Sequence, residues 1–279
     1  MSNISELLLN NPDYSKILKE ATIVSAELDI PAYLVGGSVR DKLIGKENVL
    51  LNTESSLLVG SSNNSESDTD MIVTGKSNQS LSNNYGLITG LSNDVENCDT
   101  TFLVGESNIL KNNSSSTIFG KSHDISGNTN FSFVTGEGHK QFNGNYNAIL
   151  GKNNESRNSN SDFISGISNK GIDGKANIII GEGQVVNTTE YSILSGDTNI
   201  STTTKNSLLS GKNNDLEDGV NTILSGESND VNKSYNSNIN GFDNTIIDVS
   251  NTLIMSSSSK IEKVNQLAIF GSQQDVSGN

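Results

Sequence analysis

The chain of 279 residues contains no tryptophan, two prolines and one cysteine, and aromatic residues make up only 5% of it. So few large side chains are a poor supply for the thick core of a compact enzyme. The single thiol, Cys98, excludes an internal disulfide framework. Arginine occurs only at Arg40 and Arg157 and the net charge is −14, so a basic patch that could neutralise nucleic-acid phosphates is missing.

Long apolar segments are also missing. No stretch approaches the roughly 18–20 apolar residues of a membrane-spanning helix. The first ten residues carry neither a basic segment nor a long apolar one, so they do not predict a secretory signal. We therefore expect no membrane span and no export signal.

Glycine, by contrast, recurs every fifteen residues with one slip of a single residue. Ser256 takes the slot before the last glycine. Sixteen such units predict a solenoid of stacked coils, with each glycine at a turn of positive φ. The positions are Gly45, Gly60, Gly75, Gly90, Gly105, Gly120, Gly136, Gly151, Gly166, Gly181, Gly196, Gly211, Gly226, Gly241 and Gly271.

A short apolar strand precedes each glycine. The residue two positions before it is aliphatic in every unit, as in Val73 and Ile88, which predicts a buried column. The residue three positions before it is also mostly apolar, as in Phe102 and Phe163. Because neighbouring side chains of a strand face opposite sides, one of these columns is expected to point outward.

Asparagine stands three positions after glycine in eleven units, where stacked side chains can form an amide ladder along the solenoid. His123, His139, Gln184 and Gln274 fill the same slot, so we expect both histidines to replace ladder residues. A further apolar position, five after glycine in ten units, predicts a short second strand. The ladder asparagines are Asn48, Asn63, Asn78, Asn93, Asn108, Asn154, Asn169, Asn199, Asn214, Asn229 and Asn244.

Fifteen residues suffice for one coil of a narrow parallel β-roll, and sixteen coils about 4.7–4.9 Å apart would make a rod roughly 75 Å long. With one apolar column inside and another outside, a lone rod would expose an apolar stripe that soluble monomers rarely carry. The pattern therefore predicts a homo-oligomer, most simply a trimer. Which of the two columns faces inward stays open at this point.

The repeated pattern Ser-hydrophobic-hydrophobic-x-Gly-x-x-Asn, as in residues 207–214, resembles the head repeats of trimeric autotransporter adhesins and related repeats of phage tail-fibre and other virion appendage proteins. The resemblance covers about residues 43–279. It implies an all-β, left-handed parallel β-roll with three chains side by side and an adhesive or structural role. The chain departs from the repeats of that family in its fifteen-residue period and in having asparagine, rather than a small residue, three positions after glycine.

Residues 1–41 differ in kind from the repeats. Pro12 can start a helix that ends near Asp29, before Pro31, and its apolar residues have helical spacing. The apolar residues are Tyr14, Ile17, Leu18, Ala21, Val24 and Leu28. We expect two parts, a helical capping or attachment segment at 1–41 and a β-solenoid at 42–279.

A second resemblance lies at the junction. Residues 36–41, Gly-Gly-Ser-Val-Arg-Asp, resemble a motif of tRNA CCA-adding nucleotidyltransferases, and Asp68 with Asp70 resembles their metal-binding pair, which would imply magnesium-dependent nucleotidyl transfer. The repeat opposes this, because both aspartates fall in the polar return before Gly75. We expect no catalytic residue, no metal ligand and no cofactor, and keep a nucleotidyltransferase-derived protein as a remote alternative.

The sequence thus favours a structural fibre of a virion, a rigid trimeric rod for host attachment that is assembled in the host cytoplasm. A bacterial surface adhesin fragment is the alternative. The expected partners are further copies of the chain, a virion base, capsid or tail protein bound through residues 1–41, and a host receptor or glycan. Tyr85, Tyr146, Tyr191 and Tyr235 form no regular rank by their spacing, which gives glycan binding little support. The last coil is incomplete, so a C-terminal tip or cleaved chaperone domain is expected to follow.

Overall fold

The protein is a parallel β-solenoid of about 13 turns, and its described part contains no helix. The computed structural model describes residues 48–202, 205–212, 215–216, 219–230, 232–233, 235–255, 257–263 and 265–277. The all-β solenoid expected from the glycine spacing is confirmed. The helix expected in residues 1–41, the nucleotidyltransferase-like motif, Gly45 and Asn214 lie outside the described residues.

The longer strands, which carry the repeated glycines, form sheet 1. Every pairing in it is parallel and joins consecutive coils, as in Leu58 with Val73 and Gly60 with Gly75. The strands are Leu57–Ser61, Thr69–Lys76, Asn84–Leu91, Asp99–Glu106, Asn113–Ser114, Thr117–Lys121, Thr129–Asn130, Phe133–Glu137, Ala148–Lys152, Phe163–Ile167, Ile178–Glu182, Ile193–Asp197, Leu208–Ser210, Val220–Leu224, Asn236–Ile239, Thr252–Ile254 and Leu267–Ile269.

The shorter strands form sheet 2 on another side of each coil, again with parallel pairing between consecutive coils, as in Val95 with Leu110. Twelve strands run in one series and the last three form a separate series. They are Val49–Leu51, Asn64–Glu66, Gln79–Leu81, Asp94–Glu96, Ile109–Lys111, Asp124–Ser126, Lys140–Phe142, Glu155–Arg157, Lys170–Ile172, Val185–Asn187, Ile200–Thr202, Asp215–Leu216, and then Asp243–Asp248, Ser258–Lys263 and Gln274–Val276.

The column two positions before glycine forms the apolar core. From Val73 to Ile239 its side chains have no solvent exposure, and Val95, Leu110 and Ile125 of sheet 2 meet them from the other side. The column three positions before glycine faces outward, as the pleat of the strand requires. This settles which of the two apolar columns is inside.

Two further columns of inward-facing side chains are polar. The residue four before glycine is buried in most coils, as in Ser116, Asn147 and Asp162, and so is the residue seven before it, as in Asp68 and Ser159. The segment that the sequence indicated as a polar return therefore contributes to the interior. Met71, four before Gly75, and Cys98, seven before Gly105, are buried exceptions that are not polar. The polar members are small side chains that can form hydrogen bonds inside the coil.

From Gly60 to Gly181 each coil turns through three corners of positive φ, most of them occupied by residues other than glycine. In the first of these coils the corners lie two, seven and ten positions after Gly60, at Ser62 (59°), Ser67 (56°) and Asp70 (51°). Serine, asparagine and aspartate tolerate this left-handed conformation better than bulky residues do. The abundance of serine and asparagine thus has a local cause in the corners.

The one-residue slip between Gly120 and Gly136 is absorbed at one corner. Asn113 pairs with Thr129 and Asp124 pairs with Lys140, sixteen residues apart, while Asp124 pairs with Ile109, fifteen residues before it. The extra residue therefore lies between the strands that end at Ser126 and begin at Thr129. It widens the turn and leaves both sheets in register.

No helix in the described part of the chain is long and apolar enough to cross a membrane.

Candidate functional site

The outward column of sheet 1 is a row of mostly apolar side chains, interrupted by Thr117, which we name the apolar stripe. Nine of its large members are between 38% and 53% exposed. Phe102 and Phe133 each contact Phe119, which lies beside the stripe, with ring centroids 5.5 and 6.4 Å apart. The nine residues are Leu57, Ile72, Phe102, Phe133, Phe163, Ile178, Ile193, Leu208 and Ile223. A row of this kind is the surface signature of an interaction site.

The outer face of sheet 2 is different, because charged residues are interspersed there with exposed apolar ones such as Ile109 and Ile200. Lys111 pairs with Glu96 at 3.1 Å and with Asp94 at 3.6 Å, and Lys170 pairs with Glu155 at 3.8 Å. These side chains are partly exposed, so each pair contributes little to stability, about 0–1 kcal/mol. The ion pairs make this face more polar than the apolar stripe.

The asparagine slot forms a buried ladder inside the solenoid. The Nδ2 of Asn78 donates to Oδ1 of Asn63 (3.1 Å), to the carbonyl of Thr74 (2.9 Å) and to the carbonyl of Gly90 (3.0 Å). The backbone N–H of Asn78 also donates to Oδ1 of Asn63, at 3.1 Å. The amide of Asn78 therefore joins three successive coils, whereas Oδ1 of Asn199 and Oε1 of Gln184 in the same slot have no hydrogen-bond partner.

His123 and His139 continue this ladder as a stacked pair, with ring centroids 5.0 Å apart. Nδ1 of His123 accepts the backbone N–H of His139, and Nδ1 of His139 accepts that of Asn154, at 3.2 and 3.1 Å. The protons therefore lie on the Nε2 atoms, which face backbone carbonyls at 3.2 and 3.0 Å. Burial lowers the pKa of His123 to about 4 and also lowers the pKa of His139. Both rings are neutral parts of the framework.

Two structural features favour glycine at the repeated positions, the backbone conformation and the lack of space for a side chain. From Gly60 to Gly226 in the glycine slots φ lies between 78° and 159°, a range that side chains disfavour. From Gly60 to Gly181 an added Cβ would also lie 1.8–2.2 Å from the carbonyl oxygen of the next glycine. Gly271 differs, since a Cβ there would meet no atom within 4 Å.

The other residues singled out from the sequence are not brought together. Asp68 is buried and its Oδ1 accepts the N–H of Asn83 at 2.8 Å, whereas Asp70 is exposed at a corner, so the two carboxylates do not form one metal site. Within the described ranges no group of three or more His, Cys, Asp or Glu side chains could hold a metal ion. Cys98 is buried, and that burial raises its thiol pKa, which makes it unreactive.

Asp162 is a buried carboxylate that the sequence did not single out. It lies between Asn147 and Asn177 in the column four before glycine. Its Oδ1 accepts the N–H of Asn177 at 2.8 Å, but its Oδ2 has no hydrogen-bond partner. Burial raises its pKa to about 6. Gly171 and Gly174 lie close by, and a Cβ on Gly174 would lie 2.7 Å from Oδ2.

The neighbours of Asp162 show which hydrogen bond is missing at its Oδ2 atom. Nδ2 of Asn147 donates to the carbonyl of Ser159 at 2.8 Å, and Nδ2 of Asn177 donates to that of Thr189 at 3.1 Å, twelve residues on in each case. An ionised carboxylate in this slot cannot make the equivalent donation. The protonated form of Asp162 has an O–H that could make this donation, although hydrogen bonds from Asn177 and Ser159 partly offset the effect of burial on its pKa.

Exposed aromatic residues occupy one of the corners. Tyr85, Phe131, Tyr146 and Tyr191 all lie five positions before a glycine, are 53–62% exposed and have φ of 50–59°. Three of the four tyrosines that seemed irregularly spaced thus share one corner, and only Tyr235 does not. The one-residue slip and the unnoticed Phe131 concealed this rank in the sequence.

No model of a known protein family matches this chain, and none of the curated proteins matches it. The geometry defines two surfaces, the apolar stripe and the aromatic corner, and function is argued from the first of them.

Proposed function

We propose that the chain forms the shaft of a homotrimeric fibre, and that this fibre is a structural appendage of a virion used for host attachment. The observation that carries the proposal is the apolar stripe. It runs along sheet 1 from Leu57 to Ile223, and nine of its large side chains are 38–53% exposed. Contiguous apolar surface beyond a few hundred Å² is rare on monomers and is usually covered by a partner.

Further copies of the chain are the simplest cover. The stripe repeats with every coil, and a partner must offer apolar side chains at the same spacing over the same length. A second identical solenoid does so, because its own coils follow the same parallel ladder. The charged outer face of sheet 2, with ion pairs such as Lys111 to Glu96, would then remain in water.

The trimeric state and the left-handed coil are the expectations that the resemblance to adhesin and tail-fibre repeats adds. A cyclic trimer brings three equivalent stripes to one axis and leaves the three sheet 2 faces outside. Such a rod suits a structural role better than a catalytic one. Each coil is hydrogen-bonded to the next through both sheets, which holds the rod together along its length. These properties suit a spacer that holds a recognition surface away from its base.

Assembly can be tested with matched isoleucines on the two faces. Ile178 and Ile193 in the stripe are 38% and 41% exposed, and Ile109 and Ile200 on sheet 2 are 40% and 42% exposed. Multi-angle light scattering should give three times the chain mass of 29.7 kDa for the wild type. Ile178→Lys with Ile193→Lys should yield folded monomer, whereas Ile109→Lys with Ile200→Lys should leave the trimer intact. A monomeric wild-type protein, or equal effects of the two pairs, contradicts the proposal.

The virion role needs a separate test. Mass spectrometry of purified particles should find the chain as a component, and immunogold labelling should place it on a projecting fibre. Attachment to a virion base, capsid or tail protein is assigned to residues 1–41, so a chain lacking them should still trimerise but should not join particles. Detection on a bacterial surface instead would favour the alternative, a bacterial adhesin.

A further inference from the structure

Asparagine followed by glycine occurs twice in the chain, at Asn143-Gly144 and at Asn240-Gly241. In such a dipeptide the backbone nitrogen of glycine can attack the side-chain amide carbon of asparagine, because glycine has no Cβ to hinder the approach. Both asparagines are exposed to solvent. The sequence alone gives the two sites the same reactivity, and the structure separates them.

The side chain of Asn240 is turned towards the nitrogen that would attack it. The backbone N–H of Gly241 donates to Oδ1 of Asn240 at 2.7 Å. The amide carbon is one bond beyond that oxygen, so the nucleophile and its target are already neighbours, and such proximity lowers the entropic part of a reaction barrier. In the two preceding coils the N–H groups of Gly211 and Gly226 donate to backbone carbonyls at 3.1 and 3.0 Å. A contact with the preceding side chain is therefore not a general feature of the glycine slot.

Asn240 also lies where a strand of sheet 1 has just ended. The strand Asn236–Ile239 stops at the residue before it, and φ of Gly241 is 27°, below the φ of every earlier glycine slot from Gly60 onward. In earlier coils the strand includes the glycine itself, as in Ile178–Glu182. A backbone that has left the strand can make the small movement needed for ring closure with less disruption of the sheet.

The amide of Asn143 is held in a different way. This residue occupies a corner with φ of 48°. Its Oδ1 accepts the backbone N–H of Asn128 at 3.2 Å, and its Nδ2 lies 3.5 Å from Oδ1 of Asn158. A Cβ on Gly127 would lie 2.2 Å from the same Oδ1, so the amide packs closely against the coil before it. These contacts hold the amide to the adjacent coils, and within the described ranges no hydrogen bond joins it to Gly144.

We propose that Asn240 is a site of spontaneous deamidation, whereas Asn143 is protected by its corner. The nitrogen of Gly241 bonds to Cγ of Asn240 and loses its proton to the solvent, while Nδ2 leaves as ammonia. Water then opens the resulting cyclic imide at either carbonyl and gives aspartate or isoaspartate. The net change is one water molecule consumed and one ammonia released, so the reaction needs no oxidant, cofactor or enzyme.

Either product changes the outer face of sheet 1. Asn240 lies one position before a glycine, in the outward column beside the apolar stripe, so deamidation places a carboxylate there. Isoaspartate also adds a methylene group to the backbone directly after the strand Asn236–Ile239. The reaction would therefore add charge and loosen one coil at a single defined point of the rod. The inference holds whether or not the chain assembles into a fibre.

The two rates can be measured in one sample by incubating the folded protein at pH 8.5 and following its tryptic peptides by mass spectrometry. Peptide 234–260 contains Asn240 and peptide 141–152 contains Asn143. Digestion at pH 6 limits further reaction, and electron-transfer fragmentation locates each deamidated residue and separates aspartate from isoaspartate. We expect Asn240 to react at least about tenfold faster than Asn143 in the folded protein.

The same measurement in concentrated urea is the control for the local sequence. Both sites are then Asn-Gly in an unfolded chain, so their rates should differ by less than about threefold. Asn240→Gln, which must close a larger ring, should show little conversion at position 240 and leave the rate at Asn143 unchanged. Equal rates in the folded protein, or a faster reaction at Asn143, overturn the inference. A tenfold difference that persists in urea also overturns it, because the difference would then come from the sequence and not from the structure.

Discussion

Replacing Asp162 with asparagine should stabilise the solenoid at neutral and alkaline pH. The carboxyl group is 1% exposed, and its Oδ2 has no partner at a place where Asn147 and Asn177 each direct an N–H donor to a backbone carbonyl. Asparagine supplies that donor without a charge. The substitution also keeps the shape of the side chain, so it changes little else in the interior.

The size of the effect follows from the displaced pKa. Burial raises the pKa of Asp162 from 3.8 to about 6 in the folded chain. Between these two values the folded state binds more protons than the unfolded state, so stability falls as the pH rises through this window. Above about pH 6 the penalty is complete. Two pKa units correspond to about 3 kcal/mol, and we expect Asp162→Asn to gain about 2–3 kcal/mol at pH 8.

The measurement compares urea unfolding at pH 4 and at pH 8. Because a solenoid can open one coil at a time, hydrogen exchange of peptides covering residues 160–180 should accompany the global signal. The gain should be large at pH 8, small at pH 4 and concentrated in those peptides. Asp197→Asn, at an exposed position, is the control and should change little at either pH. An equal effect of Asp162→Asn at both pH values, or a loss of stability at pH 8, refutes the argument.

Two more predictions concern the ladder and the glycines. The wild-type solenoid should lose stability as the pH falls from 6.5 towards 4, because the pKa of His123 is about 4 in the folded chain and the unfolded chain binds more protons in this window. His123→Asn with His139→Asn should abolish this loss. Because the pH windows of His123 and Asp162 overlap, chains with and without the two histidine substitutions should be compared in the Asp162→Asn background by thermal unfolding at pH 5 and 7.5. If both chains lose the same stability between these pH values, the prediction is wrong. Gly151→Ala places a Cβ 2.2 Å from a carbonyl oxygen at φ of 107° and should cost at least about 2 kcal/mol, whereas Gly271→Ala should cost less than about 0.5 kcal/mol. Urea midpoints decide this, and equal shifts would show that the glycine slot is not crowded.

The sequence predicts those parts of the fold in which one type of residue recurs at a fixed position of every repeat. Glycine at every fifteenth position gives the solenoid, the aliphatic residue before it gives the core, and asparagine after it marks the ladder seen from Asn63 to Asn108. In each case one residue type is demanded by one physical need, namely positive φ, exclusion of water or a paired amide. Repetition then makes the need visible.

The polar interior left no such mark. Asp68, Cys98, Thr129 and Ser159 occupy one inward column, yet they share only small size and some capacity for hydrogen bonding. Alternation of apolar and polar residues therefore assigns them to the solvent side. For the same reason the sequence does not reveal that the side chain of Asp162 points into the interior.

The aromatic corner was concealed by backbone geometry. A tyrosine predicts a buried or half-buried strand position from its propensity, whereas Tyr85 has φ of 50° and is 59% exposed. Only the conformation of the corner turns its side chain outward. Dihedral angles of this kind cannot be deduced from residue type alone when serine, threonine and alanine fill the same slot.

The wider corner at Gly127 and Asn128 gives an otherwise uniform rod a landmark. The strands on both sides keep their hydrogen-bonded partners in spite of the extra residue. A short epitope placed between these two residues should therefore be displayed without interrupting the coils. Because it would occur once in each chain, an antibody bound to it would mark one fixed position along the solenoid.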